Sequence, residues 1–318
     1  IQRKLRAAKN IAFNHFISGL PTAYIINSFD RNSSPKVENG PAELQSLLQN
    51  GFVSLGPLSA DVQVYRQRAK ALFDSVPQED PKLNAIAIRH PFLLGRAAGE
   101  VLRDRRLNDL IVRYIGSDAT FDRALLFRIP ACSQESKLSG LWHHDRVGKR
   151  LKLFLLLDDV GPDSRPTHYA VGSHKKFLLS NSYRASRFLE EQVRPKYRVE
   201  LLTGKCGEGI LFDTHGLHRA TWEHRETSRD ALVLEWSSAA KARLLTKFGV
   251  PIGICEELFP LDFDFSGTLV DKSRLSQQGP YIRYDGESQL HGNVTIDARE
   301  HLVRGITAGE QLYEAASR

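Results

Sequence analysis

The chain contains no methionine and only three cysteines among 318 residues. Cys132, Cys206 and Cys255 are far apart and form no paired motif. They are expected as reduced thiols in a reducing, cytoplasmic compartment. No apolar run approaches the roughly 18 residues needed to cross a membrane. The first residues show no short apolar core followed by a small-residue cleavage site, so no signal peptide is expected. No internal repeat is visible. There is no aromatic-interleaved basic stripe and no recognised nucleic-acid motif, so nucleic acid is not an expected partner. What remains is ordinary: 41% apolar and 25% charged residues, as in soluble globular proteins, with a net charge of +7. That charge reads as a solvated, mildly basic surface.

Taken in order, the chain opens on a basic run, Arg3-Lys4-Leu5-Arg6, with Ile11, Phe16 and Ile17 able to share a helix face. Residues 31–41 are turn formers and predict a loop. Pro41 sits at the first turn of a helix over 42–49, which Asn50-Gly51 stops. Phe52-Val53-Ser54-Leu55 alternates as a short strand. A second helix over 62–73 places Val62, Tyr65, Ala69 and Phe73 near helical spacing. Residues 91–115 read as helical, with Arg96, Arg103, Arg105 and Arg106 on one side. The texture then changes. Residues 124–129, 151–157, 199–202, 209–212 and 231–236 are short apolar runs between turn signals, which predict strands of a sandwich or closed barrel. Residues 174–196 read as a helical insertion. The tail from about 262 reads as polar and loop-like, up to a possible helix over 298–303.

The chemistry gathers between residues 141 and 236. In Trp142-His143-His144-Asp145, an imidazole and a carboxylate lie two apart, and on an extended strand both would face one side. A third ligand must come from elsewhere, and His218, after the strand over 209–212, is the best candidate. Two imidazoles and one carboxylate on one face of a metal leave three positions open, the pattern of oxygen-activating non-haem Fe(II) enzymes. His144 and His215 are also imidazoles, so the choice of ligands is not forced. Arg229 follows at a useful offset. A tight hairpin over Glu223-His224 would set it directly opposite His218, aiming a planar, always-charged fork at the same hollow. Lys149, Arg150 and Lys152 stand near the expected mouth, where they either favour an anionic substrate or face water.

These stretches resemble the phytanoyl-CoA dioxygenase family of Fe(II)- and 2-oxoglutarate-dependent oxygenases. The likeness runs through Trp142-His143-His144-Asp145, Leu151 to Val160, Gly172-Ser173-His174-Lys175, Gly209 to Asp213, His218-Arg219 and Arg229, and covers about residues 40–236. It implies an all-β core with flanking helices, a cupin-like double-stranded β-helix or jelly roll. It implies iron held by His143, Asp145 and His218, and 2-oxoglutarate held at its distal carboxylate by Arg229. Gly172-Ser173-His174 would be a structural turn. Two stretches depart from the family pattern: Pro162-Asp163-Ser164-Arg165-Pro166 replaces a glycine-rich turn, and Ala220 replaces a small hydroxyl residue.

The expectation is one dioxygenase domain over 1–318, with 1–120 mainly helical support, 121–240 the jelly-roll core and 241–318 a C-terminal extension. The expected reaction uses Fe(II), O2 and 2-oxoglutarate, with ascorbate as a support. It yields succinate and CO2 while a small-molecule substrate is hydroxylated, desaturation or cyclisation being further outcomes. Asp145 fills the position that halogenating relatives leave for chloride. The competing readings are a cupin-like metal enzyme without 2-oxoglutarate and a non-catalytic binding protein on a degenerate barrel.

Overall fold

The computed structural model describes residues 20–33, 40–59, 61–74, 86–88, 97–131, 140–145, 148–176, 187–221, 226–247, 257–260, 264–270, 272–278, 281–284, 296–297 and 302–303. The basic start, the face formed by Ile11, Phe16 and Ile17, Arg96, Cys132 and Cys255 lie outside them. Among the described residues no helix is long and apolar enough to cross a membrane.

Period-two alternation builds the core. The strands are β1 (Phe52–Pro57), β2 (Ile86–Ile88), β3 (Ala119–Ile129), β4 (Trp142–His143), β5 (Leu151–Leu156), β6 (Thr167–Ala170), β7 (Arg187–Phe188), β8 (Val199–Leu202), β9 (Glu208–Asp213), β10 (His218–Ala220) and β11 (Arg229–Ser238). They form two antiparallel sheets, one running β1-β9-β5-β11-β3-β2 and the other β7-β4-β10-β6-β8. In β5, Leu151, Leu153 and Leu155 point to one side and Lys152, Phe154 and Leu156 to the other. The first set joins Leu211, Leu232, Leu234 and Trp236 in a core shared with the helices. The second set faces the smaller sheet, where Leu156, Ile210 and Phe212 pack on Tyr169 and Leu202. Burying each such side chain contributes roughly 1.5–3 kcal/mol. The result is the expected jelly roll braced on one side by helices.

The helical support matches its pattern. Residues Val62–Asp74 form a helix with Val62, Tyr65, Ala69 and Phe73 buried. The helix Ala42–Asn50 has Pro41 at its N-cap and ends on Gly51 at φ +90°. A Cβ there would lie 2.3 Å from the Tyr169 hydroxyl, so only glycine fits. Residues Ala97–Leu102 and Arg105–Ile115 are two helices, the second capped by Asp104, whose carboxylate accepts the Leu107 N–H at 2.8 Å.

Four expectations need correction. The predicted loop over 31–41 starts later, because a helix runs Leu20–Ser33. The 174–196 insertion is not one helix: a 3-10 turn over Ser173–Lys175, the two-residue β7 and one helical turn, Glu190–Val193, replace it among the described residues. The tail is only partly loop-like among its described residues: 264–270 is irregular, but strands follow. Strands β12 (Glu257–Pro260), β13 (Leu275–Gln278) and β14 (Tyr281–Tyr284) form a separate sheet. Strands β15 (Ile296–Asp297) and β16 (Leu302–Val303) extend the large sheet beyond β2, so the helix expected over 298–303 is contradicted at 302–303. Strands this short carry too few residues for a local period. They exist through pairing with distant partners.

Candidate metal centre

Antiparallel pairing sets the two histidines together. His218 opens β10 and lies directly opposite His143 on β4, with ring centroids 4.5 Å apart. Asp145 stands beyond the end of β4, not on it as the spacing suggested. Its backbone N–H donates to Thr214 O at 3.0 Å, and Thr214 N–H donates to Arg150 O at 2.9 Å. This returns the carboxylate to the rings. Asp145 Oδ1 lies 3.7 Å from His143 Nε2 and 3.5 Å from His218 Nε2. One ligand atom from each residue lies within 4.8 Å of the others.

The donor set fits a divalent ion. His143 Nδ1 lies 2.8 Å from Leu141 O, and His218 Nδ1 lies 2.9 Å from Gly216 O. A carbonyl only accepts. In the uncharged ring the proton therefore sits on Nδ1, and Nε2 presents its lone pair. Carbonyl partners of this kind orient metal-bound imidazoles. Burial pushes His143 well below the usual histidine range, helped by the His218 ring and the Arg187 guanidinium. Burial works against an ionised Asp145, yet the Lys152 ammonium and the two rings outweigh it and hold the carboxyl well below its usual range. An uncharged His143 and an ionised Asp145 are the forms that bind a cation.

The other imidazoles are engaged elsewhere. His144 is buried and faces His215, with ring centroids 6.0 Å apart. His215 Nδ1 accepts from Gly148 N–H at 2.9 Å, and its Nε2 donates to Lys176 O at 3.0 Å. Ser173 accepts the Leu217 N–H at 2.8 Å and His174 Nε2 meets Leu48 O at 3.3 Å, so this turn supports the strand carrying His218. Between His215 and His218, a Cβ on Gly216 would sit 1.9 Å from the Tyr169 hydroxyl. That hydroxyl donates to Asp213 O at 2.9 Å, so the turn requires glycine.

Burial, followed by the His215 ring, lowers His144 from 6.5 to about 3. Below pH 6.5 the unfolded chain gains a proton that the folded chain refuses. Stability therefore falls as pH drops from about 6.5 toward 3, and the Asp145 contribution is lost only below its ordinary value of 3.8. Denaturant titration of the metal-free protein should show a His144 contribution of about 2–3 kcal/mol to the loss between pH 6.5 and 4.5, with His143 adding to it. His144→Leu should remove the His144 share and leave a shallower limb.

Arg229 reaches the interior by a different route from the expected hairpin. His218 pairs with His143 and Tyr169 in the small sheet, while Arg229 pairs with Ile129 in the large one. The two residues belong to facing sheets, and the turn over 222–225 lies outside the described residues. Arg229 points inward because it shares parity with Ala231, Val233 and Glu235, opposite to Leu232, Leu234 and Trp236. Its Nη1 donates to Arg165 O at 2.8 Å and to the Thr167 hydroxyl at 3.1 Å. Its guanidinium stands 5.5 Å from the centre of the Phe154 ring. Phe154 packs on Phe212, and Phe212 on His218. Aromatic rings therefore connect Arg229 to the triad. Burial and the Arg165 charge lower Arg229 to about 10. Its Nε is buried without a hydrogen-bond partner, and no acidic side chain pairs with it among the described residues. A buried guanidinium in that state favours an incoming carboxylate.

The cations expected at the mouth are already paired. Lys152 Nζ lies 2.6 Å from Asp145 Oδ2 and 3.3 Å from Glu235 Oε1. Arg150 is buried against Asp122 and Glu235. Lys149 Nζ donates to Tyr114 O at 3.1 Å. Lys152 and Arg150 are thus held by carboxylates, while Lys149 lies beside a cavity. Arg187 was not singled out in the sequence, yet it lies opposite His143 across β4 and β7. No local signal marks a two-residue strand. A cavity of about 220 Å³ lies on the helical side, lined by residues including Asn27, Asp30, Tyr114 and Lys149, without the triad.

No protein-family model matches the chain, and no curated protein matches its sequence. Solved structures do match. The crystal structure of EctD from S. alaskensis with bound Fe is 18% identical, with a TM-score of 0.52 over 65% of this chain and 81% of that one. The epimerase SnoN, in complex with Fe3+, alpha ketoglutarate and nogalamycin RO, is 14% identical, with a TM-score of 0.50 over 62% of this chain and 82% of that one. EvdMO1 is 19% identical with a TM-score of 0.45, and the match spans half of its length, 50%. The chain thus has the double-stranded β-helix fold of the EctD and SnoN structures, as the sequence resemblance implied.

Proposed function

We propose that the protein is an Fe(II)- and 2-oxoglutarate-dependent dioxygenase that hydroxylates a small-molecule substrate, with 2-oxoglutarate converted to succinate and CO2. The observation carrying this reading is the turn of His143 Nε2 and His218 Nε2 toward one oxygen of Asp145 while carbonyls engage both Nδ1 atoms. In this reading His143, Asp145 and His218 hold the iron, which when bound supplies the activation of O2 and the oxidation of cosubstrate and substrate. Arg229 holds the distal carboxylate of 2-oxoglutarate, and the Thr167 hydroxyl and Arg165 carbonyl keep its fork aimed. Phe154 and Phe212 line the interval and exclude water. The buried charge of Arg229 favours this reading over a cupin-like enzyme without an acidic cosubstrate. Residues 1–318 are taken as one domain around the core over 121–240.

Anaerobic reconstitution with Fe(II) should give one iron per chain. Addition of 2-oxoglutarate, O2 and ascorbate should then yield succinate, faster when a panel of small molecules includes the substrate. A full iron complement with no succinate under any of these conditions would overturn the cosubstrate assignment. Absence of iron would overturn the metal assignment.

A further inference from the structure

We propose that Lys152 is a positioning residue whose ammonium holds the outer oxygen of Asp145, so that this carboxylate meets the metal through Oδ1 alone. The inference rests on the metal-centre reading above. It starts from how the two carboxylate oxygens are divided. Oδ1 faces His143 and His218 at 3.7 and 3.5 Å, while Oδ2 accepts from Lys152 Nζ at 2.6 Å.

The lysine is itself held in place. Inward parity in β5 puts Lys152 directly opposite Glu235 on β11 and Phe212 on β9. Glu235, 2% exposed, meets Lys152 on one oxygen and Arg150 on the other, and Arg150 continues to Asp122. Charges alternate along this ladder from Asp145 to Asp122, mostly out of water. An exposed lysine–carboxylate pair stabilises little. Here the Lys152 side chain is only 15% exposed, and breaking the ladder would strand a buried Glu235 charge, so the geometry is enforced. With two carboxylates around it, the ammonium is not available to a substrate.

The consequence is a count of open positions. A carboxylate bound through both oxygens would take a fourth position on the metal. Chelation by a 2-oxo acid needs two positions and O2 a third. Fixing Oδ2 on Lys152 keeps all three open. Glu235 offsets the ammonium charge, so the effect falls on coordination geometry more than on metal retention.

The test uses the full chain loaded with Co(II), titrated with 2-oxoglutarate and followed by visible absorption. Lys152→Met should retain cobalt, change the cobalt spectrum before any addition, and bind 2-oxoglutarate at least roughly tenfold more weakly, with a lowered thermal midpoint because Glu235 keeps only Arg150 as its cation. Lys152→Arg should restore most of the affinity. If Lys152→Met fails to fold, Lys152→Gln, which keeps a donor without the charge, is judged on the same criteria. A folded variant lacking the ammonium that matches wild type in spectrum and affinity overturns the inference. If wild type itself shows no response to 2-oxoglutarate, the cosubstrate reading fails and the inference falls with it.

Discussion

His218→Ala should fold and fail to retain a divalent ion. His218 lies in a sheet interior opposite His143, and its Nε2 is one of three groups turned to a common point. Two remaining ligands cannot reproduce a facial triad. Removing a partner one step out from a ligand typically costs about 10- to 100-fold in metal affinity, and loss of the ligand itself should exceed that. Metal content after dialysis of wild type and variant, with succinate yield as a second readout, checks this. His174→Ala is the control. That imidazole lies against Leu48 O and should leave metal content unchanged. Equal metal retention by His218→Ala and wild type would end the triad assignment.

Arg229→Ala should keep the metal and lose the cosubstrate. A charge-assisted, forked contact to a carboxylate is worth about 2–3 kcal/mol. That corresponds to roughly 30- to 150-fold in affinity. Arg229→Lys should fall between, because a point charge cannot reproduce the fork. Without ligand, the alanine variant should be no less stable than wild type, since it removes a buried cation that has no acidic partner among the described residues. A purely structural arginine predicts the reverse, a drop in stability with 2-oxoglutarate affinity intact. Isothermal titration together with thermal unfolding, with and without 2-oxoglutarate, separates the two.

Much of this architecture was legible in the primary structure because local period and local chemistry dictate it. Apolar runs over 151–157, 209–212 and 231–236, bounded by turn signals, marked strands. Helical spacing named Val62, Tyr65, Ala69 and Phe73 as the buried side of their helix, as observed. The motif around His143 marked the ligand region while leaving the imidazoles unranked. Alternation says which face a residue takes, but not which strand lies beside it. Backbone hydrogen bonds carry no side-chain code, so the neighbours of a strand are settled only when the whole sheet closes. For that reason His218 faces His143 rather than Arg229, and Arg229 approaches from the opposite sheet. The same closure turns Lys152 from a supposed mouth residue into the partner of Asp145 and Glu235, and makes strands of tail segments too short to show a period.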